Sequence, residues 1–488
     1  MSVLSALEPQ SLWSVFEEIS NVARPSGQEE EALQILEKRL DSCGVKHWRD
    51  TAGNLMMRKA ASKDCETAPG VVLQSHIDMV PQKTDISTHD FATDALKLMI
   101  EDGWVKADGT TLGADNGIGV AAIMAVMQSK DIQHGPLEGL ITIDEERGLV
   151  GAKNLERGVL QSDILLNLDS EDEGELFIGC AGGADFEATF AYETGEIPPG
   201  LVLYKLSLSG LSGGHSGLDI HLGRGNAIQI LSRFLSKQMV RLKLGLVSFD
   251  GGSVMNAIAR NATIVVGLPK RFGDEFAEAV DGFRNEIEAQ YLQTDPNLML
   301  ESERQDHLPL RMMTQEFSKR LLTALRNCPS HALRMSPTAP EVSETSNNLG
   351  IIRTERGQVK VTCMTRSLIS DAQEDTLLGL IDLFKLAGAD VRKGVNFSGW
   401  TPNADSSVLK SAQKTYKDVF NAQAKINVIH AGLECGLLGD AYPNWDMISF
   451  GPTIKGAHSP DERVHIESVS RFWTYLCEML KTLSAKPS

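Results

Sequence analysis

The chain has 488 residues, 42% of them hydrophobic and 23% charged. At about 100–200 residues per domain, that length predicts two to four domains with real cores, and the composition excludes a disordered or collagen-like chain. The formal charge is −18, and so acidic a surface repels a phosphate backbone, so no nucleic-acid partner is expected.

The most basic stretch, residues 237–243, is interleaved with apolar residues and reads as ordinary helix surface. No run reaches the roughly 18 apolar residues of a membrane span; the longest candidate, residues 119–127, stops short. The N-terminus (MSVLSALEPQSLW) lacks a basic region followed by an apolar core, so no secretory leader is expected. The seven cysteines are odd in number and contain no CxxC, which argues against a disulfide framework and against a cysteine zinc site. A reducing, cytoplasmic location with no membrane partner is expected.

In chain order, Ser26 and Glu29 have the spacing of a capping box ahead of a helix carrying Leu33, Leu36 and Leu40. Cys43-Gly44 ends it. Strand-length apolar runs follow at 71–73, 140–143 and 164–168, separated by helical stretches such as 118–127. This alternation predicts an α/β domain, a sheet flanked by helices on both faces. The pattern changes after residue 187. Residues 192–200, with Gly195 and Pro198-Pro199, read as a linker, and residues 201–209 alternate polar and apolar like a half-exposed strand. Amphipathic helices, including residues 276–291, accompany such strands to about residue 397. Residues 397–402 read as a return linker, and a helix over 468–483 closes the chain. The predicted organisation is a catalytic domain in two segments, 1–187 and 398–488, interrupted by an inserted α+β domain over 188–397.

Each strand-like run of the first segment ends in a side chain able to bind a metal. The first leads into His76-Ile77-Asp78, the second into Asp144-Glu145-Glu146 and the third into Asp169. Asp115 precedes the apolar helix. Ligands of open α/β sheets gather beyond the carboxyl ends of the strands, so these groups can converge on a cation. Singly, each has a plainer reading: Asp115 as a helix N-cap, Glu145-Glu146 as a solvated helix start, His76 and Asp78 as a hydrogen-bonded core pair. Their joint occurrence favours the metal.

The order His76-x-Asp78, Asp115, Glu145-Glu146, Asp169 and a late His458 in GAHSPDE resembles the dinuclear zinc peptidases and deacylases of the carboxypeptidase G and aminoacylase-1 family. Longer strings (TTLGADNGIG, GGHSG, HAGLECG) are most similar to its bacterial branch acting on aminoacyl-histidine dipeptides. The resemblance implies a sheet domain with a lid, and hydrolysis of Xaa-His dipeptides, β-Ala-His (carnosine) included. It implies two divalent ions, Zn²⁺ first, with Co²⁺ or Mn²⁺ able to use the same donors. Asp115 would bridge them, with His76 and Asp169 on one ion and Glu146 and His458 on the other. Glu145 would act as general base toward a metal-bridging hydroxide. Asp78 would orient the His76 imidazole. His215 would meet the scissile carbonyl oxygen and Arg366 the substrate carboxylate, for which a guanidinium fork is suited. Closure of the inserted domain would select short substrates. A homodimer is also implied.

His430, His465 and His221 read as structural, and Glu434 as a weak candidate for the substrate's amino group. His47, His89, His134, His307 and His331 carry no signal. The alternatives are an N-acyl-amino-acid deacylase or a tripeptidase on the same metal scaffold, or a metal-binding protein without catalysis. An intact Glu145 opposes the last.

Overall fold

The computed structural model describes residues 2–192, 194–195, 200–306, 311–337 and 339–485. Pro198 and Pro199 of the linker reading, and His307, lie outside these. The chain forms two compact units: Met1–Gly179 with Pro402–Val428 and Leu433–Ser488, and Cys180–Thr401 with Ile429–Gly432. The sequence reading sets the transitions at 187/188 and 397/398. The strand Gly182–Ala191 already pairs with Gln358–Ser367 of the second unit, which places the crossing earlier.

The first unit is built on a mixed eight-stranded sheet. Its order is Lys46–Arg49, Leu55–Lys59, Leu137–Thr142, Val71–His76, Ile164–Asn167, Asp446–Ser449, Glu175–Cys180 and Lys425–Ile429. The inner strands Leu137–Thr142, Val71–His76, Ile164–Asn167 and Asp446–Ser449 run parallel. Val71, Val72, Leu73, Leu140, Ile141, Leu165 and Leu166 are buried, as strands covered on both faces require. The helix Ala114–Gln128 is buried all round from Asn116 to Met127, so its apolar sequence reflects a core element. A four-stranded sheet, with Ile454–Lys455 and Arg463–His465 as neighbours, frames the loop bearing His458.

The helix Glu30–Cys43 ends at Gly44, whose φ of +67° favours glycine. Its expected capping box does not form. Ser26 Oγ donates to Asp78 Oδ2 at 2.7 Å instead, and Glu29 Oε1 accepts the Gly27 N–H at 2.7 Å. The Ser26 side chain is turned to a buried carboxylate, and no side chain caps the helix.

The second unit is an α+β layer. Its nine-stranded sheet runs Met299–Gln305, Leu201–Ser209, Ala262–Pro269, Gly245–Gly251, Ser343–Glu355, Gln358–Ser367, Gly182–Ala191 and Asp390–Phe397, with His331–Met335 also on Ser343–Glu355. Helices such as Ala227–Gln238, Gln315–Asn327 and Ser370–Leu386 share its core, where Phe186, Phe190, Phe234 and Phe384 are buried.

Candidate metal centre

The parallel strands deliver their ligands at their carboxyl ends. His76 is the last residue of Val71–His76, Asp169 follows Ile164–Asn167, and Glu145 and Glu146 follow Leu137–Thr142. Asp115 lies in the first turn of Ala114–Gln128, where φ −80° and ψ 108° depart from helical geometry. No side chain caps that helix, and the N–H groups of Leu112, Gly113, Ala114 and Asp115 all donate to Glu462. With its own amide so held, the Asp115 carboxylate is available elsewhere. His458 sits in the 456–462 loop with a left-handed φ of +62°.

Asp115 Oδ1 lies 3.2 Å from His76 Nε2, and Asp115 Oδ2 lies 3.1 Å from His458 Nε2. Asp169 Oδ1 is 3.3 Å from His76 Nε2, and Glu146 Oε1 is 3.0 Å from His458 Nε2. Neither of these last two contacts has hydrogen-bond geometry, and both oxygens are buried with no hydrogen-bond partner. Ligand atoms of His76, Asp115 and Asp169 lie within 4.8 Å of one another, as do those of Asp115, Glu146 and His458. Two imidazole nitrogens, unpartnered carboxylate oxygens and one carboxylate common to both groups form a donor set that fits two divalent ions of the Zn²⁺, Co²⁺ or Mn²⁺ type.

The electrostatics agree with this fit. Burial opposes a charge on His76, but Asp169, Asp115 and Asp78 raise its pKa well above the ordinary value. The hydrogen bond to Asp115 and the adjacent carboxylate of Glu146 raise His458 to about 11. Burial pushes Asp169 up to about 6 despite His76. It also pushes up Glu146. Burial would raise Asp115 as well, but its bonds to His458 and His76 hold it well below the carboxylate range. The cluster therefore draws positive charge.

Asp78 is fully buried. Burial would raise it, yet His76, the Glu145 amide and Ser26 bring it down to about 2. His76 Nδ1 is 3.2 Å from the Asp78 carbonyl oxygen and 3.4 Å from Asp78 Oδ1. The Glu145 carboxyl is half-buried beside the ligands, and desolvation, together with Asp169, Glu146 and Glu434, outweighs His76 and raises it well above the ordinary value.

Two further acids have weak signals or none in the sequence. Glu434 is fully buried; its Oε2 accepts from Gln74 Nε2 at 2.5 Å and Thr142 Oγ1 at 2.7 Å. Its Oε1 has no partner, and burial lifts its pKa to about 7. Burial beside Asp115 lifts Glu171 to about 8. No motif marks Glu171.

His215 and Arg366 belong to the second unit. His215 Nδ1 accepts from the N–H groups of Gly217 and Leu218 at 3.3 and 3.2 Å. Arg366 is 5% exposed, its Nε has no hydrogen-bond partner, and burial brings its pKa down to about 10. Arg366 is the register partner of Ser346, whose hydroxyl lies 2.7 Å from His430 Nε2. Burial, Arg366, His215 and His221 depress His430 to about 3, against a weaker pull from the Ser343 backbone. His430, read as structural in the sequence, thus shares one buried polar cluster with Arg366.

None of the seven cysteines is in a disulfide. Among the described residues, no helix is long and apolar enough to cross a membrane.

Residues 72–482 match the model of peptidase family M20/M25/M40. The chain is 43% identical over 489 residues, covering all of both proteins, to the cytosol non-specific dipeptidase of Escherichia coli (strain K12). Its fold is similar to the crystal structure of aminoacylhistidine dipeptidase from Vibrio alginolyticus, with a TM-score of 0.89 and 43% identity over 98% of this chain and 97% of that one. Aminopeptidase PepT from Bacillus cereus ATCC 10987 shares the fold at a TM-score of 0.58 and 17% identity, over 98% of this chain and 100% of that one.

Proposed function

We propose that this chain, which belongs to peptidase family M20/M25/M40, is a metal-dependent dipeptidase whose substrates include Xaa-His dipeptides such as β-Ala-His. The observation that carries the reading is the split carboxylate of Asp115, one oxygen toward His76 and the other toward His458. The two full-length relatives support dipeptide hydrolysis. One is named non-specific and the other aminoacylhistidine-directed, so Xaa-His dipeptides are read as one class among those cleaved.

In this reading His76, Asp115 and Asp169 would hold one ion, and Asp115, Glu146 and His458 the other. Bound divalent ions would polarise a water and the scissile carbonyl. Glu145 would take the proton from that water and return it to the leaving amine, for which a half-buried carboxylate with a raised pKa is suited. Asp78 keeps the His76 ring in place. From the second unit, read as the lid, His215 donates to the carbonyl oxygen and Arg366 receives the free carboxylate; its unpaired Nε supports that role. Zn²⁺ as the resident ion, a cytosolic location and a homodimer belong to the same proposal.

The test is turnover of β-Ala-His, Gly-His, an Xaa-Leu dipeptide, a tripeptide and an N-acetyl amino acid, after chelation and stepwise readdition of Zn²⁺, Co²⁺ or Mn²⁺. Metal-dependent cleavage of the dipeptides is expected, with little of the last two. Preference for the N-acetyl amino acid or the tripeptide would move the chain to a deacylase or tripeptidase. Metal-independent cleavage would end the proposal.

A further inference from the structure

Glu462 is 2% exposed, and its carboxylate meets four backbone donors. Oε2 accepts the N–H groups of Leu112 at 2.8 Å and Gly113 at 2.9 Å; Oε1 accepts those of Ala114 at 2.8 Å and Asp115 at 3.2 Å. An ionised carboxylate, acceptor on both oxygens, satisfies all four donors. Arg24, 1% exposed, closes the other side of the same loop. Its Nη2 donates to the Gly113 carbonyl at 2.6 Å and its Nη1 to the Ile77 carbonyl at 2.8 Å. Gly113 therefore gives its N–H to the anion and its C=O to the cation.

The backbone groups held this way neighbour the metal ligands. Ile77 follows His76, and Asp115 owns the fourth amide. Glu462 lies four residues beyond His458 in one loop, and its own N–H donates to the Ser459 carbonyl at 3.0 Å. There is no slack in the arrangement. A Cβ at Gly113 would lie 2.4 Å from Arg24 Nη2 and 2.8 Å from Met79 Sδ, and one at Gly117 would lie 2.8 Å from Arg24 Nη2. Burying a carboxylate and a guanidinium is costly, and an apolar pair of like size often serves stability as well or better. Here Arg24 Nε is even left without a partner. Two buried charges placed at this cost point to a task other than stability.

We infer that Arg24 and Glu462 are positioning residues that preset the shared carboxylate of Asp115, and the spacing of His76 and His458 around it, before any metal ion binds. The inference rests on the reading of Asp115 as a bridging ligand. Its logic is that of outer groups that orient ligands, whose loss commonly weakens metal binding by about 10–100-fold. What is unusual is that the orientation acts through the main chain of one loop, held between two opposite buried charges.

The test uses the full chain, stripped of metal, as wild type, Glu462→Gln and Arg24→Lys. Zn²⁺ binding is followed by calorimetry, and the Co²⁺ form by its visible absorption. The first variant breaks the symmetry of the acceptor, because an amide NH₂ would face N–H donors. The wild type is expected to bind two ions. Glu462→Gln is expected to keep its far-UV circular dichroism, bind the weaker ion at least about 10-fold less tightly, and show an altered Co²⁺ spectrum. Arg24→Lys, which can reach only one of the two carbonyls, should show a smaller loss of the same kind. If Glu462→Gln does not fold, Arg24→Lys decides alone. Binding within twofold of wild type and an unchanged Co²⁺ spectrum in a folded variant would overturn the inference. So would failure of both variants to fold, because the pair would then serve stability. Fewer than two ions on the wild type would sink the bridging reading itself, whatever the variants do.

Discussion

Asp78 Oδ1 accepts the backbone N–H of Glu145 at 3.0 Å, while its Oδ2 accepts that of Glu146 at 3.2 Å. The same carboxylate lies 3.4 Å from His76 Nδ1. One buried anion thus sets both the ligand imidazole and the segment carrying the base and a second ligand. The Ser26 hydroxyl, freed from helix capping, completes its coordination at 2.7 Å.

Asp78→Asn is expected to lower kcat by about 10–100-fold and to weaken metal binding, because an amide nitrogen would point at one of those donors. Steady-state kinetics alongside a chelator titration check this. An Asn variant with wild-type kcat and metal affinity would show that the contacts only fill space.

Glu145→Gln isolates the proton transfer. The substitution keeps the shape and removes the base, so kcat should fall about 10²–10⁴-fold while both ions remain bound. Metal content and kcat, measured on one preparation, separate these two effects. Retained turnover would assign the proton to another acid, and Glu434, buried beside Glu145 with a pKa near 7, would be the first to examine.

The sequence disclosed the parts of this centre that obey local rules. Strand runs ending in His76, Asp169 and Asp144-Glu145-Glu146 are visible because a parallel sheet exposes its carboxyl ends, and ligands there must follow apolar runs. The α+β character of the second unit was legible from the alternation in 201–209. Long-range pairings were not. Glu462 finds the amides of 112–115 across some 350 positions, and Arg24 reaches Gly113 across 89; neither leaves a periodic trace. The Ser26 and Glu29 capping box is a further case: the Ser26 side chain is turned to a distant Asp78, which no local spacing announces. His430 looked like an isolated histidine because its partner Ser346 lies 84 residues away.

His430 should make the chain acid-sensitive in a definable window. Its pKa is about 3 in the folded protein, against about 6.5 in an unfolded chain. The unfolded state therefore binds the extra proton between these values, and stability is lost as pH falls from about 6.5 toward 3. Full effect is about 1.4 kcal/mol per pH unit for one proton. Urea unfolding at pH 4.5, 5.5 and 7.5 should show His430→Gln falling less steeply than wild type by up to that slope. Parallel slopes would mean that His430 takes a proton freely in the folded state.

The His215 loop offers a geometric lever on the proposed lid histidine. A Cβ at Gly217 would lie 2.1 Å from the His430 carbonyl oxygen and 3.1 Å from His215 Cε1. The Gly217 N–H also donates to His215 Nδ1. A backbone carbonyl cannot swing aside as a side chain can, so Gly217→Ala must displace the loop. Misplacement by about 1 Å can cost on the order of 10²-fold in rate, so kcat should fall at least about 10-fold. The metal ligands belong to the other unit, and metal content should not change. Gly282→Ala is the control: no atom lies within 4 Å of its Cβ, on the exposed face of the helix Gly273–Tyr291, and it should keep wild-type kcat while gaining about 0.5–1 kcal/mol. Wild-type kcat in Gly217→Ala would remove His215 from the reaction, because the new methyl group crowds both the His430 carbonyl and the imidazole.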